Sequence, residues 1–496
     1  MNGMEESDPS IVPTKPTNKA GQPAAEPVEG SDGAKRNASL QSTNRTQCRR
    51  TVSQAQARIR QAATRNRKEK LTALLHHISV DTLRYVFLDM KKNAAPGIDG
   101  VTWERYGEDL DQNLIDLHRR VHAGAYRAQP SRRKYIPKPD GRQRPLGIAA
   151  LEDKLVQGAV VVVLTPIYEA EFLGFSYGFR PGRSQHYALD ALHVGITRRK
   201  VNWILDADIA RFFDTISHEW LIRFMEHRIG DRRIIRLIQK WLKAGVMEEG
   251  RKVETDEGTP QGAVISPLLA NIYLHYVFDL WTQQWRRRHA TGDVIVVRYA
   301  DDSITGFQHR QDAECFLHDL KERLARFALN LHPDKTRLIE FGRFAAENRR
   351  RQGEGKPDAF DFLGFTHFCD RRRKDGSFVI GRQTKREVML AKIRWIKDEL
   401  RIRMNRSIDM NGRWLRTVLK GHYAYYGVPR NNRAMSRFYH EIGLVWFKRL
   451  RRRGQRHRIA WKRMKTYITR YLPYPLVTHP WPSERFDVRR GVIAST

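Results

Sequence analysis

Three classes of protein are excluded by what this sequence lacks. It has 3 cysteines in 496 residues, Cys48, Cys315 and Cys369, and no two form a CxxC pair. A disulfide scaffold and a four-cysteine zinc site are therefore out, and a reducing compartment is implied. Long hydrophobic runs are missing as well. The longest mostly apolar stretch without a charge, Gly158 to Tyr168, is too short to span a bilayer, and MNGMEESDPS does not have the basic-then-apolar pattern of a secretory leader. Acidic residues are scarce: 55 Asp and Glu face 90 Lys and Arg, a net charge of +35. That imbalance points to a polyanion, nucleic acid before an anionic membrane surface. A wholly disordered basic protein is excluded by the 40% hydrophobic content and 11 Trp.

Residues 1 to about 50 are rich in Pro, Gly, Ser, Thr and Asn and read as a disordered tail. Residues 51–90 open with a basic helix. Trp103, Tyr106, Leu110, Leu114, Leu117 and Val121 then recur at helical spacing, with Thr102 to cap that helix and Gly124 to end it. YIPK and RPLGI flank Pro-Asp-Gly, a hairpin signal over 135–148. VNWILDADI (201–209) and VIVVRYA (294–300) read as buried strands. Ser266-Pro267 opens a helix, and residues 312–328 form another. The charge then concentrates: residues 371–496 hold 33 Lys and Arg against 8 Asp and Glu, in helices where cations and aromatic rings interleave. Cations supply phosphate affinity, and rings stack on exposed bases.

Asp208 ends the first strand, and Asp301-Asp302 sit between VVRYA and SITGF as at a hairpin tip. Carboxylates beside apolar strands are costly without a cation. Hard oxygen donors select Mg²⁺, and two such ions about 3.5–4 Å apart can promote in-line attack of a 3′-hydroxyl on a phosphate. Taken singly, each of these is more often a turn or a strand cap. Together with the basic charge they are the parts of a nucleotidyl transferase.

Eight blocks in family order resemble a bacterial group II intron-encoded reverse transcriptase/maturase: APGIDGVTWE, YIPKPDGRQRPLGI, SYGFRPGRS, ILDADIARFFD, GTPQGAVISPLLANIYL, VRYADDS, LNLHPDKTRLIEFG and FDFLGF, between residues 95 and 365. GRWLRTVLKGHYAYYGVPRN (412–431) is similar to the family's maturase segment. The resemblance implies an α+β fold: a right-hand polymerase, its fingers and palm with an antiparallel sheet over 91–370, then an α-helical thumb/maturase domain over 371–472. Residues 473–496 would be a short basic segment able to touch DNA.

The same resemblance implies roles. Asp208, Asp301 and Asp302 would be catalytic and hold two Mg²⁺ ions, with the Ile209 carbonyl as a further ligand. Lys138, Arg144, Gln261 and Lys335 would contact the incoming deoxynucleoside triphosphate, with Phe213 as the ring that rejects a ribose 2′-hydroxyl and Phe212 as its core neighbour. Arg180, Arg183 and Gly364 would meet template or primer. Arg413, Arg416, Lys420, Tyr425, Tyr426, Arg451, Arg452 and Arg453 would meet intron RNA. The implied partners are group II intron RNA, a DNA target and primer, and deoxynucleoside triphosphates, in the bacterial cytoplasm and at the nucleoid, with no membrane. The family's HNH nuclease, which needs Cys pairs, is not expected. Three alternatives were weighed: a binding-only maturase, a defence-associated relative and an RNA-templated RNA polymerase. They are opposed respectively by the intact triad, the maturase-like helices and bulky Phe213.

Overall fold

The computed structural model describes residues 32–137, 143–248, 251–253, 257–259, 262–453 and 459–489. Its first element corrects the tail reading. A helix runs over Asp32–Arg65, so residues 32–50 are helical, while residues 1–31 lie outside the described set. Cys48, Val52, Ile59 and Ala63, spaced by four, seven and four, form its buried stripe. Beside it lies the Leu151–Glu169 helix, where the Val162 carbonyl accepts from Gln56 Nε2 at 3.1 Å. The basic helix expected after residue 51 is the second half of the Asp32–Arg65 helix and ends at Arg65.

The expected single helix over 103–121 breaks in two, Trp103–Gly107 and Leu110–His122, because Asp109 leaves helical geometry at φ −128°, ψ 45°. Its apolar face survives: Leu114, Leu117 and Val121 are buried. Thr102 accepts from the Arg105 amide, and Gly124 takes φ +76°. The hairpin forms as β1 (Ser131–Pro137) and β2 (Gln143–Ile148), antiparallel, with Ile136 opposite Arg144.

β3 (Trp203–Asp208) is the second strand from one edge of the central sheet. Short strands β4 (Val246–Glu248) and β5 (Arg251–Val253) extend the β1–β2 sheet. The Ser266–Leu274 helix, with no side-chain cap at Ile265 and with Pro267 in its first turn, passes through a π turn at His275–Asp279 into Leu280–Arg288. β6 (Val294–Tyr299), β7 (Asp302–Phe307) and β8 (Arg337–Glu340) complete the central sheet in the order β6-β7-β3-β8, every neighbour antiparallel.

The period of two sorts the faces of this sheet. Leu205, Ala207, Val296 and Phe307 join the core that includes the Ser266–Leu274 and Arg310–Ala325 helices. Ile204, Val297, Ile304 and Ile339 join a second core with the Gln185–Arg198 helix and a small sheet of β9 (Phe360–Phe362), β10 (Phe365–Arg371) and β11 (Phe378–Thr384). Asp206, Asp208 and Asp302 fall on this second face by alternation.

The β10–β11 hairpin crosses residue 371, where the helical region was expected to begin, so helices take over only at Arg386. Arg386–Ile402, Ile408–Tyr426, Asn432–Arg451 and Trp461–Tyr471 enclose a third core of Ile396, Leu415, Leu419, Phe438, Ile442 and Trp446. A last helix, Pro482–Arg489, returns to the Gln185–Arg198 helix. Arg485 grips buried Asp190 at 2.5 and 2.7 Å, and Arg198 grips Asp487 at 2.8 Å. The C-terminal segment expected to touch DNA thus turns Arg485 inward as a strap.

Candidate active site

The register of the central sheet builds the site. Asp208 on β3 is directly opposite Asp302 on β7. Tyr299 opposite Asp302 closes a two-residue turn, so Asp301 stands at its tip. Ala300, the first turn residue, takes a left-handed φ of +57°, where such hairpins favour glycine. Three carboxyl groups from distant parts of the chain therefore meet at one sheet end.

Lost hydration, with crowding behind it, raises the proton affinity of Asp301 and Asp302. Asp302 touches solvent on one side, yet lost hydration, then Asp301, Asp208 and Asp206, push its carboxyl up to about 7. Asp301 is raised by lost hydration and then by Asp208, with Arg144 and Lys335 pulling the other way. Asp206, desolvated beside Arg337 at 3.6 Å, rises to about 6. Lys335 donates to Asp208. Among the described residues no three His, Cys, Asp or Glu side chains are arranged to hold a metal ion as they stand. The donor set nevertheless suits a hard divalent ion: three carboxylates that repel one another, a repulsion such an ion would relieve. Ile209 and Leu331 form a bridge in which the bonds run between Asp208 O and His332 N (2.7 Å) and Ala210 N and Asn330 O (2.8 Å). The Ile209 carbonyl accordingly faces away from Leu331.

Next to the triad, Arg211 at φ +46° turns the chain into the short Phe212–Thr215 helix. Phe212 is buried and Phe213 half-buried, their rings edge-on at 5.4 Å. Gly258 and Thr259 brace this turn. Thr259 N donates to Phe213 O at 2.8 Å, and a Cβ on Gly258 would stand 2.9 Å from the same oxygen. At Gly262 (φ +105°) a Cβ would lie 3.0 Å from the Gly147 carbonyl of β2. Gly258 thus packs on the Phe213 turn and Gly262 on the β1–β2 hairpin, which explains the two glycines.

Residues 136–367 match the family model described as "Reverse transcriptase (RNA-dependent DNA polymerase)". The chain is 36% identical to Protein YkfC of Escherichia coli over 309 residues, 54% of this chain and 80% of that protein. It is 36% identical to the Group II intron-encoded protein LtrA of Lactococcus lactis over 220 residues, 44% of this chain and 36% of LtrA, so it spans about a third of that relative. It is also 31% identical over 217 residues to the Putative COX1/OXI3 intron 1 protein of Saccharomyces cerevisiae, 44% of this chain and 26% of that protein. This chain belongs to the group II intron-encoded reverse transcriptase family.

Several expected reverse-transcriptase contacts are displaced. Lys138 and Gln261 lie outside the described residues. Arg180 is corrected: it is 6% exposed, its fork held by Glu169 at 2.9 Å twice and by the Leu173 and Ser176 carbonyls, so it is a scaffold residue with no arm for a template. Arg183 gives one arm to the Gly174 carbonyl at 2.6 Å and lies over Tyr177. Gly364 is where expected in character. Leu363 at φ +48° and Gly364 at φ +78° make the tight turn between β9 and β10.

Tyr425 and Tyr426 are corrected as well. Tyr425 donates to the Leu363 carbonyl at 2.8 Å, and a Cβ on Gly364 would meet the Tyr426 hydroxyl at 2.9 Å. Both rings pack near Phe365, at 5.7 and 5.1 Å, and thus support the turn instead of stacking on bases. Arg413, Arg416 and Lys420 do stand exposed, at i, i+3 and i+7 of their helix, and Arg451, Arg452 and Arg453 are exposed.

Two buried groups escaped the sequence analysis. Asn431, 0% exposed, donates to Thr384 Oγ1 and the Tyr426 carbonyl and accepts from Thr384 N, all at 2.8–2.9 Å, joining β11 to the helices. Arg298 is 1% exposed inside the apolar run VIVVRYA. A cation in a buried strand demands a partner, and that signal was in plain view.

Proposed function

We propose that this chain copies RNA into DNA and binds group II intron RNA as a maturase that aids splicing and mobility. The observation that carries the polymerase half is the cross-strand pairing of Asp208 with Asp302, with Asp301 at the adjoining turn. On this assignment the central sheet is the palm, the β1–β2 hairpin belongs to the fingers, and the helices from Arg386 are the thumb.

Asp208, Asp301, Asp302 and the Ile209 carbonyl would hold two Mg²⁺ ions. When bound, Mg²⁺ supplies Lewis-acid activation of the primer 3′-hydroxyl and neutralises charge on departing pyrophosphate. The chain's own groups do the rest. Arg144, near enough to Asp301 to lower its proton affinity, faces the triphosphate together with Lys138. Lys335 pairs with Asp208 and would also face the triphosphate. Gln261 would contact the incoming nucleotide, and the Phe213 ring would meet its sugar. The Leu363–Gly364 turn supports the primer end, and Arg183 has arms left for the template.

Arg413, Arg416, Lys420 and Arg451–Arg453 would screen the repulsion between packed RNA helices. The catalysis of splicing would remain the RNA's. The protein would act in the cytoplasm, on nucleoid DNA. Among the described residues no helix is long and apolar enough to cross a membrane.

Primer extension on an RNA template with Mg²⁺ tests this, alongside intron RNA binding. Asp301→Asn is expected to abolish extension and leave RNA binding within about threefold. A wild-type preparation that never extends the primer would overturn the polymerase, and one with no preference for intron RNA would overturn the maturase.

A further inference from the structure

Arg298 precedes the catalytic turn by one residue, and its guanidinium is fully engaged. Nε and Nη2 grip Asp279 at 2.7 and 2.6 Å, Nη2 also reaches Ser176 Oγ at 2.7 Å, and Nη1 reaches Asn271 Oδ1 at 3.1 Å. Its remaining bond is to the Ala300 carbonyl at 2.9 Å, inside the turn. Asp279 is 0% exposed, so this is an ion pair withdrawn from water. Such pairs are poor contributors to stability, because desolvation offsets their attraction. Their persistence calls for a different account.

The surroundings supply one. Asp279 ends the π turn that interrupts an otherwise continuous helix from Ser266 to Arg288. A π turn adds a residue and rotates the following side chains, and such turns gather at functional sites. Here it presents Asp279 to β6. The SYGFRPGRS segment lies along the same strand: Arg298 N donates to Phe175 O at 2.9 Å, and Tyr177 N to Arg298 O at 2.8 Å. A Cβ on Gly178 would stand 2.3 Å from Ala300 N, and the Gly178 carbonyl accepts from Asn271 Nδ2 at 2.7 Å. Arg298 and Gly178 thus meet Ala300, the one turn residue held at positive φ, and the Ser266–Arg288 helix holds Arg298 from behind.

We infer that Arg298 and Asp279 are positioning residues: the buried fork holds the Ala300 carbonyl and so keeps the left-handed turn that sets Asp301 and Asp302 beside Asp208. Neither touches substrate. They act through the turn, whose backbone would otherwise relax toward the conformations L-residues prefer. The inference rests on the polymerase assignment for its consequence but not for its geometry.

The test uses the full chain. Arg298→Met combined with Asp279→Leu removes both charges together, leaving no stranded ion. Arg298→Lys keeps a cation for Asp279 but has no fork to span Ala300 and Asn271 at once, and serves if the double variant does not fold. Amide hydrogen exchange at Ala300–Ser303, without nucleotide, is expected to quicken at least tenfold in either variant, with exchange at Ile204–Leu205 unchanged. In primer extension kcat should fall at least tenfold while the KM for deoxynucleotide stays within twofold.

Turn amides as protected as in wild type, or a loss seen wholly in KM, would overturn the inference. Should the wild-type protein prove inactive, quickened exchange confined to the turn would still uphold the clamp. The polymerase assignment alone would then fail.

Discussion

Removing the Phe213 ring tests the sugar-gate assignment most directly. The ring is half-buried, but its backbone is fixed from outside: Thr259 N bonds the Phe213 carbonyl at 2.8 Å and Gly258 packs on it. Phe213→Ala should therefore empty space without moving the turn. Forcing a surplus atom against a packed ring typically costs about 1–3 kcal/mol. At about 1.4 kcal/mol per tenfold, its relief should raise the ribonucleotide-to-deoxynucleotide ratio of kcat/KM by about 5- to 140-fold. Losing a half-buried ring should destabilise the fold by about 2 kcal/mol, half the usual cost of a buried Phe. The assay is single-nucleotide primer extension with matched ribo- and deoxynucleotides, in which fold damage cancels from the ratio. Phe212→Ala is the control. That ring is 2% exposed, so its loss should destabilise by about 3–5 kcal/mol without altering the ratio. A folded Phe213→Ala protein with unchanged selectivity would refute the reasoning, as would an equal shift in Phe212→Ala.

Asn431→Ala strands the Thr384 amide and the Tyr426 carbonyl and should destabilise by about 3 kcal/mol in urea titration; under about 1 kcal/mol would show that the joint is dispensable. Burial, then Arg382, holds both His193 and His367 down at about 3. Because these folded values lie below the free value, the folded state binds fewer protons. The stability they confer is complete above about pH 6.5 and drains away as pH falls toward 3, by roughly 2 kcal/mol per histidine at pH 5. His367→Gln should flatten the fall of melting temperature between pH 7 and 5; an unaltered slope would refute the assignment. Changing Arg413, Arg416 and Lys420 together to Gln should reduce the salt slope of RNA binding by about 2, and an unchanged slope would place the RNA on another face.

The site was legible because strand alternation and charge both survive in sequence. Asp208 ends an apolar run, and Asp301-Asp302 interrupt two others, so register alone brings them together once the strands pair. What failed to show was the destination of polar and aromatic side chains. Arg180 reads as a cation in a basic motif, but its partner Glu169 sits on the preceding helix and no pattern announces the pair. Tyr425 and Tyr426 carry the same basic-aromatic signature as a base-stacking platform, yet they face a glycine turn some 60 residues earlier. Of the Asp32–Arg65 helix only the part before residue 51 was missed, because its Pro-, Gly-, Ser- and Thr-rich surroundings read as tail. The expected fold class, mixed helix and antiparallel sheet, stands, because it rests on period, which local chemistry does not disguise.

The Pro482–Arg489 helix gives the polypeptide the form of a closed ring. The chain leaves the central sheet's second core at Lys385, builds the helical lobe, and comes home through Arg485 to Asp190. A lobe hinged on one side could swing wide around a duplex; one moored on both sides flexes mainly along its two tethers. A single proteolytic nick between Leu472 and Trp481 would turn the ring into an open hook. Grip on nucleic acid should then slacken even though every exposed cation of the lobe stays where it was.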